Sequence, residues 1–360
     1  MINVTKSYLP DIKEYIQYLE GIWERNHLTN HGPLVLELEQ KLRDYTQCKH
    51  VFFVNNGTIA LQIAIKALGL TKEIITTPFS YVATSSTIVW ENCKVVYADI
   101  DPVTLTIDVE QIEKNINSET EAILATHVYG NPCDLENIEK LAKKYNLKVI
   151  YDAAHAFGVR YKNKPIVNFG DISTVSFHST KLFHTIEGGA IFTNDDDLAH
   201  RISYMRNFGH NGQEAFWGLG INAKTSEFNA AMGLCILPKM NDIVAKRKHD
   251  VDLYQSILSQ SSNIHFITIR ENTDYNYAYL PIILNSEEDL LKVKNKLNGH
   301  DIFPRRYFFP SLNTLEFLSP KEMKISDDIS KRVLCLPLAF DFPSESIELI
   351  SNLILEELNA

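Results

Sequence analysis

Short apolar runs alternate with helical stretches through the first half of the chain. The apolar runs include "EIITTP", "KVVYADI", "AILATHV" and "KVIYDAA", and they are separated by amphipathic segments such as "LENIEKLAKKYN". Apolar runs of strand length between amphipathic helices are typical of a parallel sheet with helices on both faces. The pattern therefore predicts an α/β fold with a mostly parallel central sheet sandwiched by helices.

The N-terminal segment has a different periodicity. Four apolar residues recur at three- and four-residue spacing over 10–24, which predicts an amphipathic helix. After the break in "HLTNHGP", the stretch "LVLELEQKLRDYT" predicts a second helix. The four apolar positions of the first helix are Ile12, Ile16, Leu19 and Trp23.

The C-terminal third predicts a smaller unit. A long helix is expected over 225–258, bent near Pro238 because proline interrupts helical hydrogen bonding. Beyond it, "IHFITI", "YAYLPIIL" and "RVLCLPL" indicate strands between further helices. We therefore expect a large domain over 1–240, with the N-terminal helices as part of it, and a small α+β domain over 241–360.

Composition and charge narrow the class of protein. The 360 residues carry 35 Lys and Arg against 45 Asp and Glu, a formal charge of −10, which argues against nucleic-acid binding. The five cysteines are scattered, without the close spacing of a zinc or redox motif, and no other metal-binding pattern is present. No apolar stretch has the length of a signal or membrane segment. The expectation is a cytoplasmic protein that contacts no membrane.

Polar residues follow several of the predicted strands, where ligands bind in sheets of this kind. In "FVNNGTIALQIAIKAL" a strand passes directly into a helix at Gly57 and Thr58. Free N–H groups at a helix N-terminus bind phosphate, and glycine permits close approach. An alternative is that Thr58 only caps its helix.

The segment "VIYDAAHAFG" places Asp152 at the end of an apolar run. A carboxylate there is costly unless a positive group meets it, and a protonated ring nitrogen is one suitable partner. His155 follows three residues later. Asp152 as a structural buried acid, and His155 as a hydrogen-bonded core histidine, are the alternatives.

Lys181 lies in "SFHSTKLFHTIEGGA", between two further predicted strands. Alone, a lysine at a strand exit fits a solvated surface residue. Together with a phosphate-binding turn and an acidic partner for a ring nitrogen, it matches what pyridoxal 5'-phosphate (PLP) requires. PLP is an electron sink held by a lysine Schiff base with an acid opposite its pyridine nitrogen.

Over nearly its whole length the chain resembles the DegT/StrS group of PLP-dependent nucleotide-sugar aminotransferases, which have the type I aminotransferase fold. The resemblance rests on "LTNHGPLVLELEQKL", "NNGTIAL", "TPFSYVAT", "HVYGNPCDL", "YDAAHAFG", "SFHSTKLFHTIEGGA", "GLGINAKTSEFNAAMG" and "FPRRYFFP". It implies that Lys181 binds PLP as a Schiff base and that Asp152 pairs with the pyridine nitrogen. It also implies that Tyr81 stacks on the ring and that His155 contacts the cofactor near its phenolic oxygen.

The same resemblance implies a shared active site. Gly57, Thr58 and Ser176 match phosphate contacts, and Asn222 matches an asparagine that reaches the phosphate from the neighbouring subunit. The working unit is then at least a homodimer. Ala223 and Lys224 stand where relatives commonly carry an aromatic residue and an arginine, so the pocket wall near the amino donor or sugar is expected to differ.

The reaction implied is a transamination in two halves. Glutamate gives its nitrogen to the cofactor and leaves as 2-oxoglutarate, and the pyridoxamine form (PMP) then aminates a ketone of a nucleotide sugar. Residues 176–190 resemble relatives acting on 4-keto-6-deoxy sugars, which favours dTDP-4-keto-6-deoxyglucose as substrate and a 4-amino product for surface polysaccharide such as O-antigen. For the nucleotide diphosphate, "FPRRYFFP" offers Arg305, Arg306 and Tyr307, although a solvated basic pair beside a packed tyrosine is the alternative.

Three other functions remain open at the level of sequence. The first is a 3-aminotransferase on a 3-keto-6-deoxy sugar, a branch that more often has Tyr-Pro in place of His178-Ser179 and Asp in place of Glu187. The second is an amino-acid aminotransferase. The third is a sensor or binding protein with this fold and no turnover, which the presence of both Lys181 and Asp152 disfavours.

Overall fold

A computed structural model describes residues 1–318 and 320–359. The strands end where apolar runs give way to turn residues, as the sequence predicts. In chain order they are β1 (Ile2–Asn3), β2 (His50–Val54), β3 (Glu73–Thr76), β4 (Lys94–Tyr97), β5 (Thr120–Thr126), β6 (Lys148–Asp152), β7 (Arg160–Tyr161), β8 (Lys164–Pro165), β9 (Ile172–Ser176), β10 (Gly189–Thr193), β11 (Ile264–Phe266), β12 (Thr273–Asp274), β13 (Pro281–Leu284), β14 (Ile302–Phe303) and β15 (Val333–Cys335).

The helices begin at side chains that cap their free N–H groups in several cases, for example Asn56, Asp134, Ser226 and Ser286. They are α1 (Ile12–Arg25), α2 (Pro33–Thr46), α3 (Gly57–Ala67), α4 (Val82–Trp90), α5 (Val109–Asn115), α6 (Leu135–Tyr145), α7 (Asp196–Met205), α8 (Glu227–Ile236), α9 (Met240–Leu258), α10 (Glu287–Asn298), α11 (Lys324–Arg332) and α12 (Ser344–Asn359).

The central sheet has seven strands in the order β2-β10-β9-β6-β5-β3-β4. The neighbours from β9 through to β4 pair in parallel, whereas β10 is antiparallel to both β2 and β9. The prediction of a mostly parallel sheet is therefore confirmed. Because β10 runs backwards, its first residue, Gly189, lies beside Ser176 at the edge where the parallel strands end.

Helices cover both faces of this sheet, as predicted. Successive residues of a strand point to opposite faces, and alternate residues accordingly join two different hydrophobic clusters. Phe53 and Tyr151 belong to the cluster that includes residues of α1, α2 and α8. Val54 and Ile150 belong to the cluster that includes residues of α3, α4 and α7.

The predicted bent helix is present as two helices. α8 and α9 are separated by a 3₁₀ turn at Leu237–Lys239, which contains Pro238. α9 then packs with α10, α12 and the antiparallel sheet β11-β13-β15 in a separate hydrophobic cluster. β1 pairs in parallel with β14, so residues 2–3 lie against the C-terminal part of the chain. The division at residue 240 stays a prediction.

The first helix buries only part of its predicted apolar face. Ile22 is fully buried and Leu19 packs against the core of the large sheet. Ile12, Ile16 and Trp23 remain 63%, 42% and 68% exposed. This chain alone therefore leaves an apolar stripe of α1 uncovered.

Candidate active site

A cavity of about 320 Å³ opens at the edge where the parallel strands end. Its floor comes from the ends of β2, β5, β6 and β9, and one wall comes from Tyr279, Arg305, Tyr307 and Phe308 of the C-terminal region. The volume lies at the lower end of the range for small-molecule sites. Among the predicted site residues, those that line it are Gly57, Thr58, Tyr81, Asp152, His155, Ser176, Lys181, Arg305 and Tyr307.

Lys181 lies on the loop between β9 and β10. Its backbone N–H donates to the carbonyl of His178 at 2.9 Å, which turns the side chain into the cavity. The amine Nζ donates to the hydroxyl of Tyr279 at 3.2 Å. Burial lowers the pKa of Lys181 to about 8, and the nearby charge of Asp152 opposes that shift. A fraction of this amine is therefore unprotonated near neutral pH.

Asp152 ends β6 and is 6% exposed. Its carboxylate accepts hydrogen bonds from the Thr84 hydroxyl at 2.7 Å and from the backbone N–H of Ala154 at 3.1 Å. Within the described residues, no cationic side chain forms an ion pair with it. Burial raises the pKa of Asp152, and these two hydrogen bonds counteract part of the shift. The site thus holds an acid that lacks a positive partner.

His155 is buried beside this acid. The backbone N–H of Tyr129 donates to its Nδ1 at 3.1 Å, so Nδ1 is unprotonated and the proton of the neutral ring is on Nε2. Its ring lies parallel to that of Phe308, with centroids 5.5 Å apart and an interplanar angle of 3°. Burial holds the pKa of His155 well below its usual value. His155 is therefore a neutral hydrogen-bond donor.

The turn from β2 to α3 has free helix N–H groups at the position where the sequence predicts a phosphate site. The Asn56 side chain accepts from the N–H of Ile59 at 2.9 Å and caps the helix. The N–H groups of Gly57 and Thr58, in the first turn, have no partner within the helix. A Cβ on Gly57 would lie 2.9 Å from the Cβ of Ser176, so only glycine lets the two strand ends approach this closely.

The adjacent arginines of the C-terminal region point in different directions. Arg305 and Tyr307 line the cavity. Arg306 does not line it, because its guanidinium pairs with Glu287 at 2.6 Å and lies over the ring of Phe309. The structure therefore brings only one of the two arginines to the predicted site.

Asn222 also lies outside this cavity. It is exposed on the segment between α7 and α8, where its side-chain oxygen accepts from Lys224 at 2.8 Å. Tyr81, at the start of α4, borders the cavity but is 61% exposed. Both side chains are exposed in this chain, and the role in a neighbouring subunit that the resemblance implies for Asn222 stays a prediction.

Two residues of the site were missed by the sequence reasoning. Thr84 is one turn of α4 beyond Tyr81, and its hydroxyl is fixed by Ser80 at 2.7 Å before it donates to Asp152. Its position in the quoted segment "TPFSYVAT" is the only signal for it. Tyr279 comes from a predicted strand of the C-terminal region, and nothing in the local sequence connects it to Lys181.

The donor set fits PLP. A buried acid without a cationic partner suits a protonated ring nitrogen, an amine of lowered pKa suits an aldehyde, and helix N–H groups beside Gly57 suit a phosphate. Lys181, Asp152 and Gly57 line one and the same cavity. The assignment of Lys181, Asp152 and Gly57 to the cofactor stays a prediction, and their common cavity is compatible with it.

Comparisons with known proteins agree with this geometry. Residues 10–354 match the model of the DegT/DnrJ/EryC1/StrS aminotransferase family. The chain is 41% identical to a dTDP-4-amino-4,6-dideoxy-D-glucose transaminase of Shigella dysenteriae, over 99% of this chain and 98% of that protein. It is 37% identical to a transaminase of the same name from Escherichia coli, over 99% of both.

Solved structures of related proteins have the same fold as this chain. The crystal structure of DesI in the presence of its TDP-sugar product superposes with a TM-score of 0.93 and 29% identity, covering 98% of this chain and 92% of DesI. Helicobacter pylori PseC, an aminotransferase involved in the biosynthesis of pseudoaminic acid, gives a TM-score of 0.93 at 25% identity, over 99% of both chains.

Proposed function

The chain belongs to the DegT/DnrJ/EryC1/StrS aminotransferase family, and on that premise we propose that it moves an amino group from L-glutamate to C4 of dTDP-4-keto-6-deoxy-D-glucose. It is a PLP-dependent sugar aminotransferase. The product is then a dTDP-4-amino-4,6-dideoxy sugar. The observation that carries this proposal is the convergence of Lys181, Asp152 and the α3 N-terminus on one cavity, in a chain similar throughout to two transaminases of that substrate class.

The chemistry begins with the amine of Lys181. PLP supplies an electron sink that accepts the negative charge developing at the substrate carbon. Because its pKa is about 8, Lys181 offers a neutral amine that would hold the cofactor through its aldehyde and would serve as the proton acceptor. Its protonated form then returns that proton. A lysine with its usual pKa would be almost entirely charged at neutral pH. It would therefore offer almost no neutral amine to react with an aldehyde or to accept a proton.

Asp152 and His155 maintain the charge pattern that this chemistry requires. Asp152 is fixed by Thr84 and Ala154, so its carboxylate stays in place to hold a proton on a ring nitrogen. His155 presents Nε2–H as a neutral donor, because its Nδ1 is occupied by the N–H of Tyr129. A neutral donor orients a phenolic oxygen without adding positive charge beside Lys181.

The anionic parts of the ligands meet donors at two places. Gly57, Thr58 and Ser176 surround the α3 N-terminus, where backbone N–H groups bind the cofactor phosphate. Arg305, beside Tyr307 at the cavity wall, is placed for the diphosphate of the nucleotide sugar. Arg306 is bound by Glu287 and is not assigned a substrate contact.

A homodimer with shared active sites completes the proposal. The segment that carries Asn222 has five exposed large apolar side chains, which monomeric proteins seldom place together. Three apolar residues of α1 are exposed as well. We assign both regions to a subunit interface, with Asn222 reaching the partner's phosphate site. The exposed residues of the segment are Phe208, Phe216, Trp217, Leu219 and Ile221.

The proposed setting is the cytoplasm, in synthesis of a surface polysaccharide such as O-antigen. All five cysteines are free and buried, which is in keeping with a reducing compartment. In the described residues, the helices include none with the length and apolarity needed to cross a bilayer.

The proposed reaction is tested by converting the enzyme to its pyridoxamine form with glutamate and adding the keto sugar. We expect dTDP-4-keto-6-deoxyglucose to restore the absorbance of lysine-bound PLP, and NMR of the product to place nitrogen on C4. The 3-keto isomer is the matched control. Nitrogen on C3, or full turnover between an amino acid and a keto acid in the absence of nucleotide sugar, would contradict the assignment.

The shared site is tested by mixing two inactive or weakened variants. A Lys181→Ala chain retains Asn222, and an Asn222→Ala chain retains Lys181. In a mixed dimer one of the two sites then has both residues intact. We expect activity above the sum of the separate variants after subunit exchange, whereas simple additivity would mean that each chain builds its site alone.

A further inference from the structure

The amine of Lys181 contacts a tyrosine from the C-terminal region of the chain. Tyr279 immediately precedes Leu280 and β13, and its hydroxyl accepts the hydrogen bond from Lys181 Nζ at 3.2 Å. Tyr279 is only 9% exposed. It lines the main cavity and also a smaller void of about 10 Å³ behind Lys181. No other hydroxyl in the described residues hydrogen-bonds to this amine.

The hydroxyl of Tyr279 is held in a fixed position by its surroundings. Its ring lies against that of His155, with centroids 4.8 Å apart, and edge-on to Tyr307 at 5.7 Å. The buried Asn276, three residues earlier, donates to the carbonyls of His155 and Phe157 at 2.9 and 3.0 Å. The segment that carries Tyr279 is thus attached directly to the loop that carries His155.

Besides acids and uncharged groups, the cavity that Lys181 lines contains the cation Arg305 and the imidazole of His178. Asp152, Tyr307 and Tyr81 favour the protonated amine, and burial disfavours it. His155 is neutral, since its pKa is held well below the usual value. Burial raises the pKa of Tyr279, so its hydroxyl stays uncharged. An uncharged hydroxyl accepts from the ammonium form of Lys181 and donates to the free amine.

We propose that Tyr279 is the positioning residue of Lys181, and that its hydroxyl holds the ε-amine in the cavity whenever the amine is not bound to the cofactor. The inference rests on the proposed function, because a transaminase needs this lysine free between its two half-reactions. A lysine side chain has four rotatable bonds and loses much rotamer freedom when it is ordered. One hydrogen bond to the rigidly held hydroxyl of Tyr279 orders the Lys181 side chain before its amine reacts.

The test measures the capture of added PLP by the apoprotein as a function of pH, followed by the absorbance that lysine-bound PLP acquires. In the parent protein the rate should rise with pH around a midpoint of about 8, the pKa of Lys181. In Tyr279→Phe the ammonium loses an acceptor, which lowers the pKa of the amine. We expect the midpoint to fall by about half to one pH unit, since a hydrogen bond to a charged group is lost. The limiting rate at high pH should fall several-fold, because the free amine is no longer held in place by the hydroxyl.

The matched control is Tyr254→Phe. Tyr254 is fully buried, and its hydroxyl donates to the carbonyl of Pro337 at 3.2 Å, so this variant loses a comparable hydrogen bond away from the cavity. Its pH profile should superpose on that of the parent protein. Thermal unfolding followed by circular dichroism is measured for both variants.

Two results would overturn the role of Tyr279. One is a Tyr279→Phe profile that coincides with the parent profile. The other is a Tyr279→Phe protein that unfolds under conditions where Tyr254→Phe stays folded, because the hydroxyl would then serve the fold and not the amine. A parent protein that captures no PLP contradicts the proposed function itself, so the two failures are distinguishable.

Discussion

Two buried carboxylates of this chain are satisfied in different ways. Glu39, on α2, forms a buried ion pair with Arg206 and also accepts from the N–H of Phe53 at 2.8 Å. Asp152, on β6, accepts only from Thr84 and Ala154 and has no ion-pair partner in residues 1–318 and 320–359. The charge of Glu39 is neutralised by the fold, whereas the charge of Asp152 is available to a ligand.

The difference follows from the cost of burying a charge. An unpaired buried carboxylate is expensive, and a protein reduces the cost either with a partner or by shifting the pKa. At Asp152 the pKa is raised by burial, which means that the ionised form is held at a cost until a cation arrives. A protonated ring nitrogen would remove that cost, and this relief would add to the binding free energy of the cofactor.

Lys181→Ala should have the largest effect on activity. The variant lacks the amine to which we assign PLP binding and proton transfer, and removal of a general acid–base group alone costs about 10²- to 10⁴-fold. We expect no absorbance of lysine-bound PLP and no measurable turnover, with unfolding unchanged. The measurements are the absorption spectrum and the rate of product formation.

The control for this variant is Lys248→Ala. Lys248 is exposed and pairs with Asp252 one helical turn away, and such surface pairs contribute little. It should keep both the spectrum and the rate of the parent protein. A Lys181→Ala protein that turns over at a comparable rate would remove Lys181 from the mechanism.

Exchanging each carboxylate for its amide should separate function from stability. Asp152→Asn should reduce turnover by about 10²-fold or more, because a ring nitrogen loses its charged partner, and should leave the free energy of unfolding of the apoprotein equal or slightly higher. Glu39→Gln should lower that free energy by about 3 kcal/mol, because Arg206 is left buried without its partner. Chemical denaturation and turnover of the folded fraction measure the two effects, and equal stability losses would contradict the comparison.

The stability difference at Asp152 should depend on pH. A group whose pKa is raised in the folded state stabilises the protein below its unfolded-state pKa, and this contribution is lost as the pH rises through the folded-state pKa. The apoprotein should therefore lose stability relative to Asp152→Asn as the pH rises from below about 3.9, the ordinary aspartate pKa, towards neutrality. Denaturation midpoints of both proteins over this range measure it, and parallel curves would contradict a raised pKa.

The sequence was sufficient for the parts of the site that lie on single segments. Gly57, Asp152 and Lys181 each follow a strand, and parallel strands end at one edge of a sheet, so their convergence is a consequence of the alternating pattern. The bend at Pro238 is local in the same sense, whereas the capping alternative was placed at the wrong residue, because Asn56 and not Thr58 caps α3. Features of this kind depend on residues that are close together in the sequence.

The sequence was insufficient where side chains from distant segments meet. Tyr279 is 98 positions from Lys181, and no periodicity relates the two. The apolar stripe of α1 was predicted, but its periodicity does not indicate which of its residues this chain buries, and Ile12 and Trp23 proved exposed. Nothing in "FPRRYFFP" distinguishes Arg305 from Arg306, and only the packing of the folded chain determines which of the two lines the cavity.

The smallest effects are expected at Arg305 and Arg306. These two arginines differ as the two carboxylates do, because Arg306 is paired within the fold and Arg305 is available to a ligand. Arg305→Gln should raise the KM for the nucleotide sugar about 10-fold with little change in stability, because a charged hydrogen bond to phosphate is lost. Arg306→Gln should leave that KM unchanged and lower the free energy of unfolding by about 1 to 2 kcal/mol, since the ion pair with Glu287, the hydrogen bond to the Lys331 carbonyl at 3.1 Å and the contact with the Phe309 ring are lost. Steady-state kinetics and chemical denaturation of both variants measure these outcomes. If Arg306→Gln raises the KM and Arg305→Gln does not, the diphosphate binds on the other side of this segment, and the cavity wall is not where the nucleotide lies.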